Sequence, residues 1–479
     1  MEVSMKYYAK LFLCLLLLSL VCLGGCDTSG DETGTEATLR ELTVAEAYEA
    51  ACEELRQANN LILSYTYSET RTVGGETFTQ EITGADSLRN IGTDAMEAMV
   101  QQHLTYGSFT ADYTELYHAG TAYALVHGSA FSAPMTADSF ASRQLPRVVL
   151  TGALYGEITV TETEETKILT FLQPTAPEDW AVSAGDVTML SAQGSATMDH
   201  SGSLLAYTYQ LSYVQADVTH EITLEMDISA PKSLDLTATH PGYPEQSVAL
   251  GCLDAPKMML QTAGDIFTAQ SISAEETQTV NSGALNSLRT YVSSYHITGQ
   301  DTELTALATH KNTLNDYHLG TTTTSTQTDR YQNGVLSRIT NDAAPVESAE
   351  TPENIRIRWE NSLLNCLFSL NYLSDAVLTE TEDAYTLTFT GNDAYCSAIA
   401  SSLSTILGSD LDSLAESHTT PGAGGYLTLS KITGLPTAMG MHFQRIHVLY
   451  GTAYQLSYQL DQTLLLASPD TAAAIAGAQ

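Results

Sequence analysis

Apolar and polar positions alternate with period two along most of this chain. In "LAYTYQLSY" at 205–213, Leu205, Tyr207, Tyr209, Leu211 and Tyr213 fall on one side of an extended strand, and Ala206, Thr208, Gln210 and Ser212 on the other. In "AYTLTFT" at 384–390, Tyr385, Leu387 and Phe389 alternate with Thr386 and Thr388 in the same way. Clean alternation predicts antiparallel sheets with one covered and one wetted face. "LILSYTYSETRTV" at 61–73 and "DIFTAQSISAEETQTV" at 265–280 read as further strands.

Between these runs the period lengthens to that of a helix. "TVAEAYEAACEELRQANNL" from 43 has Thr43 and Glu46 at capping-box spacing and places Ala45, Tyr48, Cys52 and Leu55 on one face. "LDAPKMMLQTAGDIFTAQ" from 253 predicts a second helix, with Asp254 as N-cap and Pro256 in the first turn. A third, over 352–372, follows Thr351 and Pro352 and carries the stripe Ile355, Trp359, Leu363, Cys366, Leu367 and Leu370. A fourth, over 394–414, repeats Ile399, Leu403, Ile406 and Leu407. The segment "TADSFASRQLPRVVLTGALYG" at 136–156 is interrupted by Pro146 and reads as a less regular counterpart of the third.

The chain also echoes itself. "VTETEETKILTF" at 160–171 and "LTETEDAYTLTF" at 378–389 agree at Thr161/Thr379, Glu162/Glu380, Thr163/Thr381, Glu164/Glu382, Leu169/Leu387, Thr170/Thr388 and Phe171/Phe389. Other echoes keep the same order: "SETRTV" at 68–73 with "EETQTV" at 275–280, "YHAG" at 117–120 with "YQNG" at 331–334, and Gly202 with Gly434. Their offsets increase steadily, as small insertions in a second copy would make them. The pentamer "YQLSY", at 209–213 and again at 454–458, breaks that progression and reads as two strands meeting one period-two requirement. These patterns predict two copies of one α+β unit, over 41–250 and 251–470, with a tail at 471–479. Each copy is expected to be a curved antiparallel sheet with helices on its concave face.

Location is written at the start. Lys6 and Lys10 precede an apolar run from Leu11 to Leu23, which is too short to cross ~30 Å of hydrocarbon and is followed by Gly24-Gly25-Cys26. The ending Leu23-Gly24-Gly25-Cys26 resembles the bacterial lipobox, which implies a signal peptide at 1–25 and acylation of Cys26. "CDTSGDETGTEAT" from 26 has no core-forming residues and reads as an acidic tether over 26–40. An acylated N-terminus, a leading helix, a curled antiparallel sheet with helices inside it and a Tyr-x-x-Gly hairpin in each unit together resemble the lipoprotein-carrier superfamily of half-barrel proteins. The resemblance implies acyl chains held between sheet and helices, and no shared catalytic residues.

Composition narrows the chemistry. The 479 residues hold 56 acidic and 19 basic side chains, a formal charge of −37, which repels nucleic acid. Of seven cysteines, Cys14 and Cys22 leave with the signal and Cys26 is the lipidation site. Cys52, Cys252, Cys366 and Cys396 remain, with no Cys-x-x-Cys, and read as buried thiols rather than a zinc site. Catalytic motifs are poorly supported. There is no Gly-x-Ser-x-Gly elbow. "HGSAFS" at 127–132 sets His127 near Ser129 by chance, and "THEITLE" at 219–225 has His220-Glu221 without a zincin's second His. His442 and His447 fall on opposite faces of a strand, and Asp410 and Asp412 complete no calcium loop.

Two readings follow: no enzyme, no cofactor and no metal in either. In the first, a membrane-anchored extracytoplasmic lipoprotein at the cell surface holds an apolar, lipid-like ligand, with Trp359, Leu363, Leu367, Leu403 and Leu407 lining the site. In the second, the same protein is a surface interaction or sensor scaffold with closed cores, binding a protein partner. Both rest on Cys26. Replacing it (Cys26→Ala) removes the membrane affinity that acyl chains supply at ~0.8 kcal/mol per buried CH2. Cell fractionation should find the variant soluble or uncleaved, and membrane retention of a correctly processed variant would refute acylation.

Overall fold

Long strands dominate the protein. The computed structural model describes residues 43–467, apart from 108, 127–128, 145–154, 175–186, 237–244, 248–252, 254, 365–372, 409–414 and 420–421. The first sheet is built from β1 (Asn60–Val73), β2 (Glu76–Arg89), β3 (Glu97–Tyr106), β4 (Phe109–His118), β5 (Thr121–Val126) and β6 (Ser129–Pro134). It continues with β7 (Tyr155–Glu162), β8 (Thr166–Pro174), β9 (Val187–Asp199), β10 (Leu204–Gln215), β11 (Val218–Ser229) and the short β12 (Glu245–Ser247). The second sheet starts with β13 (Ser271–Ser282), β14 (Ser287–Thr298), β15 (Thr305–Asp316), β16 (Thr321–Gln332), β17 (Val335–Thr340) and β18 (Val346–Ala349). It ends with β19 (Leu373–Glu380), β20 (Ala384–Gly391), β21 (Ser417–His418), β22 (Gly422–Ser430), β23 (Pro436–Leu449) and β24 (Thr452–Leu466).

Strand order is shared. The first sheet runs β12-β6-β5-β4-β3-β2-β1-β11-β10-β9-β8-β7, and the second β18-β17-β16-β15-β14-β13-β24-β23-β22-β20-β19, with β21 beside β23. In both, the first long strand pairs with the last. "YQLSY" therefore sits on non-equivalent strands, β10 and β24.

The local devices correspond as well. Tyr117 is buried and its hydroxyl donates to the Met135 carbonyl at 3.0 Å, while Tyr331 donates to the Glu350 carbonyl at 3.3 Å. Each is followed by a hairpin with two left-handed residues, Ala119 (φ 50°) and Gly120 (φ 78°) in one, Asn333 (φ 53°) and Gly334 (φ 80°) in the other. At the Thr-Glu turns, Thr163 N–H donates to the Thr166 carbonyl at 2.8 Å and Thr381 N–H to the Ala384 carbonyl at 2.9 Å.

The helices are short: α1 (Val44–Arg56), α2 (Ala137–Gln144), α3 (Ala255–Thr268), α4 (Pro352–Leu364) and α5 (Asp393–Leu407). The expected α+β half-barrel, with helices packed on the concave face, is overturned. The chain is mostly strand, in two 12-stranded sheets that are antiparallel except where the short β12 runs parallel to β6. The physical reason is length. Twelve strands at ~4.8 Å spacing span about 50 Å, whereas the longest helix among the described residues has 15 residues, about 22 Å at ~1.5 Å per residue. The expected helix over 352–372 is helical over Pro352–Leu364, with 365–372 outside the described residues, and that over 394–414 ends at Leu407. The expected strand at 265–280 is helical as far as Thr268 and extended only from Ser271. Thr351 does cap α4, its hydroxyl accepting from Asn354 N–H at 3.2 Å.

One apolar cluster serves both sheets, joining Leu63, Phe171 and Tyr207 of the first to Ile272, Phe389 and Leu460 of the second. Helix α1 sets Tyr48 against Phe171 at 4.9 Å, and α5 sets Tyr395 against Phe389 at 5.9 Å. Cys52 and Cys396 are buried, and Cys252, Cys366 and Asp254 lie outside the described residues.

Helix α3 ties the sheets together. It precedes the second sheet in the chain yet packs across β3 and β4 of the first. Tyr113 donates to the Leu253 carbonyl at 3.1 Å, Lys257 Nζ stands 4.4 Å over the Tyr113 ring, and Phe267 stacks on Phe109 at 6.0 Å. Gly264 lies directly on Tyr106, where a Cβ would overlap the Tyr106 side chain. In an open helix Gly264→Ala would gain about 1 kcal/mol of helix propensity, but overpacking costs about 1–3 kcal/mol. The overlap should win, so thermal unfolding of Gly264→Ala is expected below wild type, and an unchanged or raised melting temperature would show that α3 does not seat as described.

Candidate functional site

The face of the first sheet beneath α3 is unexpectedly polar. Strand register aligns two rows on it. Phe78, Arg71, His220 and Tyr213 lie abreast across β2, β1, β11 and β10. One pleat away, Tyr106, Gln80, Glu69 and Ile222 lie abreast across β3, β2, β1 and β11. Both rows belong to one face because directly paired residues project together. Above them stand α3 and the Ser430–Leu435 turn that joins β22 to β23.

Arg71 spans the gap. Its Nη2 donates to Asp265 Oδ1 at 2.7 Å and its Nη1 to the Thr433 carbonyl at 2.8 Å. The Arg71 and Asp265 side chains are each 3 % exposed. The turn presents its carbonyl through Gly434, which is left-handed (φ 69°), and a Cβ there would lie 2.5 Å from Arg71 Nη1. Gln261 Nε2 donates to the Gly434 carbonyl at 3.4 Å.

Beside this clamp is a cavity of about 220 Å3, walled by Glu69, Arg71, Gln80, Tyr213, Gln215 and His220 of the first sheet and closed by Gln261, Lys431, Ile432 and Gly434. The His220 ring lies parallel to Tyr213, with centroids 4.6 Å apart. Its Nδ1 is 3.4 Å from Glu69 Oε1, and the Tyr67 hydroxyl donates to Glu69 Oε2 at 3.1 Å. Burial opposes ionisation of Glu69, yet His220, Arg71 and the Tyr67 hydroxyl outweigh it and hold the carboxyl below its ordinary value. Burial raises Asp265 to about 6 against the pull of Arg71. Burial, then Glu69, lifts Tyr213 to about 12. Two nitrogens, Arg71 Nε and His220 Nε2, are buried without a hydrogen-bond partner.

A second cavity of about 360 Å3 lies on the second sheet among Glu275, Val292, Ser294, Thr309, His310 and Lys311. Its lining residues hold no buried unpartnered atom. The first cavity is the better candidate.

Trp359 and Leu363 on α4, and Leu403 and Leu407 on α5, are buried in the common apolar cluster and border neither cavity. Leu367 and Cys26 lie outside the described residues, as do His127, Asp410 and Asp412. His442 is exposed and His447 buried, on opposite faces of β23. Among the described residues, no group of three His, Cys, Asp or Glu could hold a metal ion, and no helix is long and apolar enough to cross a membrane. Sequence reasoning passed over Arg71 and His220 as site residues. The available signal was the mismatch of Arg71 with Gln278 inside an otherwise matching echo, since a lone cation in a Thr-rich strand needs a partner.

No protein family matches the chain by sequence, and no curated protein matches it. Among solved structures it is similar to LprF from Mycobacterium bovis, at 12% identity over 41% of this chain and 96% of that one, with a TM-score of 0.23. It is also similar to a BenF-like porin from Pseudomonas fluorescens, at 7% identity over 85% and 98% of the two chains, with a TM-score of 0.10. Likenesses this distant carry no argument about fold or function.

Asp265 makes the site sensitive to pH. Its carboxyl sits near 6 in the folded chain, above the ~3.9 of an unfolded Asp. Folding therefore takes up a proton between those values, and this contribution to stability declines as pH rises from about 4 to about 6. Two pH units correspond to on the order of 3 kcal/mol. Asp265→Asn, which mimics the protonated form, should lack that decline. Denaturant titrations at pH 4.5 and 7.5 should show the variant gaining on wild type at the higher pH, and parallel pH profiles would refute the assignment.

Proposed function

We propose that this chain is a non-catalytic binding module, held at the extracytoplasmic face of a bacterial membrane by acylation of Cys26, whose apolar interior is closed and whose recognition site is the polar cavity under α3. We further propose that its two sheets descend from one duplicated unit, with the site kept in the first copy alone. The position of Arg71 in the echo is Gln278 in the second copy, and Gln278 is paired across the sheet with Leu460, where Arg71 is paired with His220.

The observation that carries the proposal is the burial of Arg71 and His220 at the wall of a cavity, each with a nitrogen lacking a partner. A buried unsatisfied polar group costs about 1–3 kcal/mol. Two of them beside one cavity are a sizeable fraction of the ~5–15 kcal/mol that holds a domain folded. Such a cost retained at the wall of a cavity supports reading the place as one kept for recognition rather than for stability. The closed interior is supported by Trp359, Leu363, Leu403 and Leu407, all buried in one cluster.

An apolar ligand between sheet and helices makes the opposite demand. It requires those four side chains to line a space that empties. Mass spectrometry of an organic extract from chain 41–479, purified without detergent, distinguishes the two. The closed-core reading expects no stoichiometric lipid, and it expects Leu363→Arg and Leu403→Arg to unfold outright, because each buries an unpaired charge. Folded variants together with a co-purified lipid would overturn it in favour of an apolar carrier.

A further inference from the structure

We infer that one rim of the second sheet, formed by three neighbouring hairpin tips, seats in the headgroup–acyl boundary of a lipid bilayer. Strand order puts these tips side by side, because β23-β24, β13-β14 and β15-β16 are adjoining hairpins. Register closes all three at the same end. Leu449 pairs with Thr452, Ser282 with both Ser287 and Leu456, and Asp316 with both Ser287 and Thr321. Each tip is tied to the next: Gly283 N–H donates to the Gln455 carbonyl at 2.8 Å, and Tyr317 N–H to the Asn286 carbonyl at 2.9 Å. Large apolar side chains stand out from them. Tyr450 is 92 % exposed and Leu319 68 %, with Tyr317 and Leu285 exposed beside them. Single exposed apolar residues are ordinary, whereas a group on adjoining turns marks a contact surface.

Charge says what covers it. The hairpin segments 277–288, 317–328 and 446–460 contain no Asp, Glu, Lys or Arg. At the chain's frequency of 56 acidic side chains in 479 residues, about four or five would fall in stretches of this length. Two carboxylates do stand at the rim, and both are tied into its turns. Asp316 Oδ1 accepts from His318 and Leu319 N–H, each at 2.9 Å, and Glu416 Oε2 accepts from Gly451 N–H at 3.0 Å. A protein of formal charge −37 is held off anionic headgroups wherever its acids face them. These tips are where such a body can approach lipid closely. Tyr suits the place, since its ring sits at headgroup level while its hydroxyl stays wet. Leu319 and Leu285 reach for the acyl side.

The backbone at Tyr450 points the same way. Tyr450 (φ 53°) and Gly451 (φ 72°) form a two-residue turn with both residues left-handed, where Asn-Gly is the favoured pair. Among the described residues, every other non-glycine residue with positive φ is Asn, Asp or Ala. A bulky ring there works against the turn, so it is kept for what it touches. The first sheet supplies the contrast. Its tips at the same places in the strand order are Gly74-Gly75, Gly107 and Ala216-Asp217, and none carries a large apolar side chain. Two of them are covered by the second sheet's own surroundings. A Cβ on Gly74 would lie 2.4 Å from the Ala467 carbonyl oxygen, and one on Gly107 2.7 Å from Thr268 Oγ1. Small tips meet protein, and Tyr and Leu stand where the chain offers no such cover. Another copy seated as the second sheet sits on the first would need small tips again.

The proposed acylation of Cys26 would bring a bilayer within reach, and the test keeps anchor and rim apart. The full acylated chain is mixed with phosphatidylcholine vesicles whose acyl chains are brominated, and quenching is read against the wild-type signal of Trp180 and Trp359. Tyr450→Trp and Leu319→Trp are the probes, and Leu190→Trp, on an exposed position of β9, is the control. Quenching of both tip probes about threefold above the control supports the inference. Equal quenching of all three overturns the location. Unquenched tips on a chain that floats with the vesicles overturn the inference and leave the anchor intact. Tip quenching on a chain that mass spectrometry finds unacylated removes the anchor and supports the rim. A blue shift of the tip probes without vesicles, growing with protein concentration, overturns the lipid in favour of a second copy. Tyr450→Asn, placed in the Leu319→Trp background, should raise the melting temperature, because Asn accepts a left-handed turn, and lower the quenching about twofold. A lowered melting temperature with unchanged quenching would show that Tyr450 serves the fold, and would overturn the part given to it.

Discussion

Everything at the centre of this protein hangs on a single guanidinium. Arg71 is buried between a carboxylate from α3 and a carbonyl from a turn of the other sheet, and it can sit there only because both arrive. Removing such a charge from water costs several kcal/mol, and a buried pair recovers that only with good geometry and further hydrogen bonds. The geometry is imposed from outside the pair. Phe109 and Phe267, Tyr113 and the Leu253 carbonyl, and Gly264 on Tyr106 fix the height of α3 over the sheet. Gly434 lets the turn come close enough to offer its carbonyl. The clamp is thus a product of apolar packing, and the polar cavity beside it is shaped by what the clamp leaves uncovered.

Much of the strand content was legible, and the reason is mechanical. A strand with one covered face must alternate, and Tyr207, Leu211 and Tyr213 alternate against Thr208 and Ser212 whatever the wider fold does. Turns were legible for a related reason, since Gly120 and Gly334 stand where only left-handed backbone closes the hairpin. Fold class was misjudged because period alone does not report extent. The apolar stripe of α5 suggested a cover for a sheet, but 15 residues of helix cover only a fraction of twelve strands. The boundary at 265–271 failed similarly, because Ile266 serves a helix while Ile272, in a similar local setting, serves a strand.

The site was hidden for a different reason. His220 drew notice only as an incomplete zinc motif, and Arg71 drew none. Neither has a sequence neighbour that explains it. Their partners come from strand register, from a helix and from a distant turn. Burial raises Asp265 to about 6 only because that helix lies flat on another element's face. Local pattern carries strands and caps well, and chemistry assembled from four separate segments hardly at all.

The clamp also has a consequence for the order of assembly. Arg71 meets Asp265 194 residues downstream and Thr433 362 residues downstream. A chain synthesised from its N-terminus presents β1 long before either partner has emerged. Closing contacts over such separations is entropically slow, so the cavity is among the last parts of the molecule to exist. Until the Ser430–Leu435 turn arrives, Arg71 remains solvated and the face under α3 stays wet. The cavity thereby depends on completeness: a nascent or C-terminally clipped chain can carry nearly all of the first sheet and still lack the wall that Lys431, Ile432 and Gly434 supply.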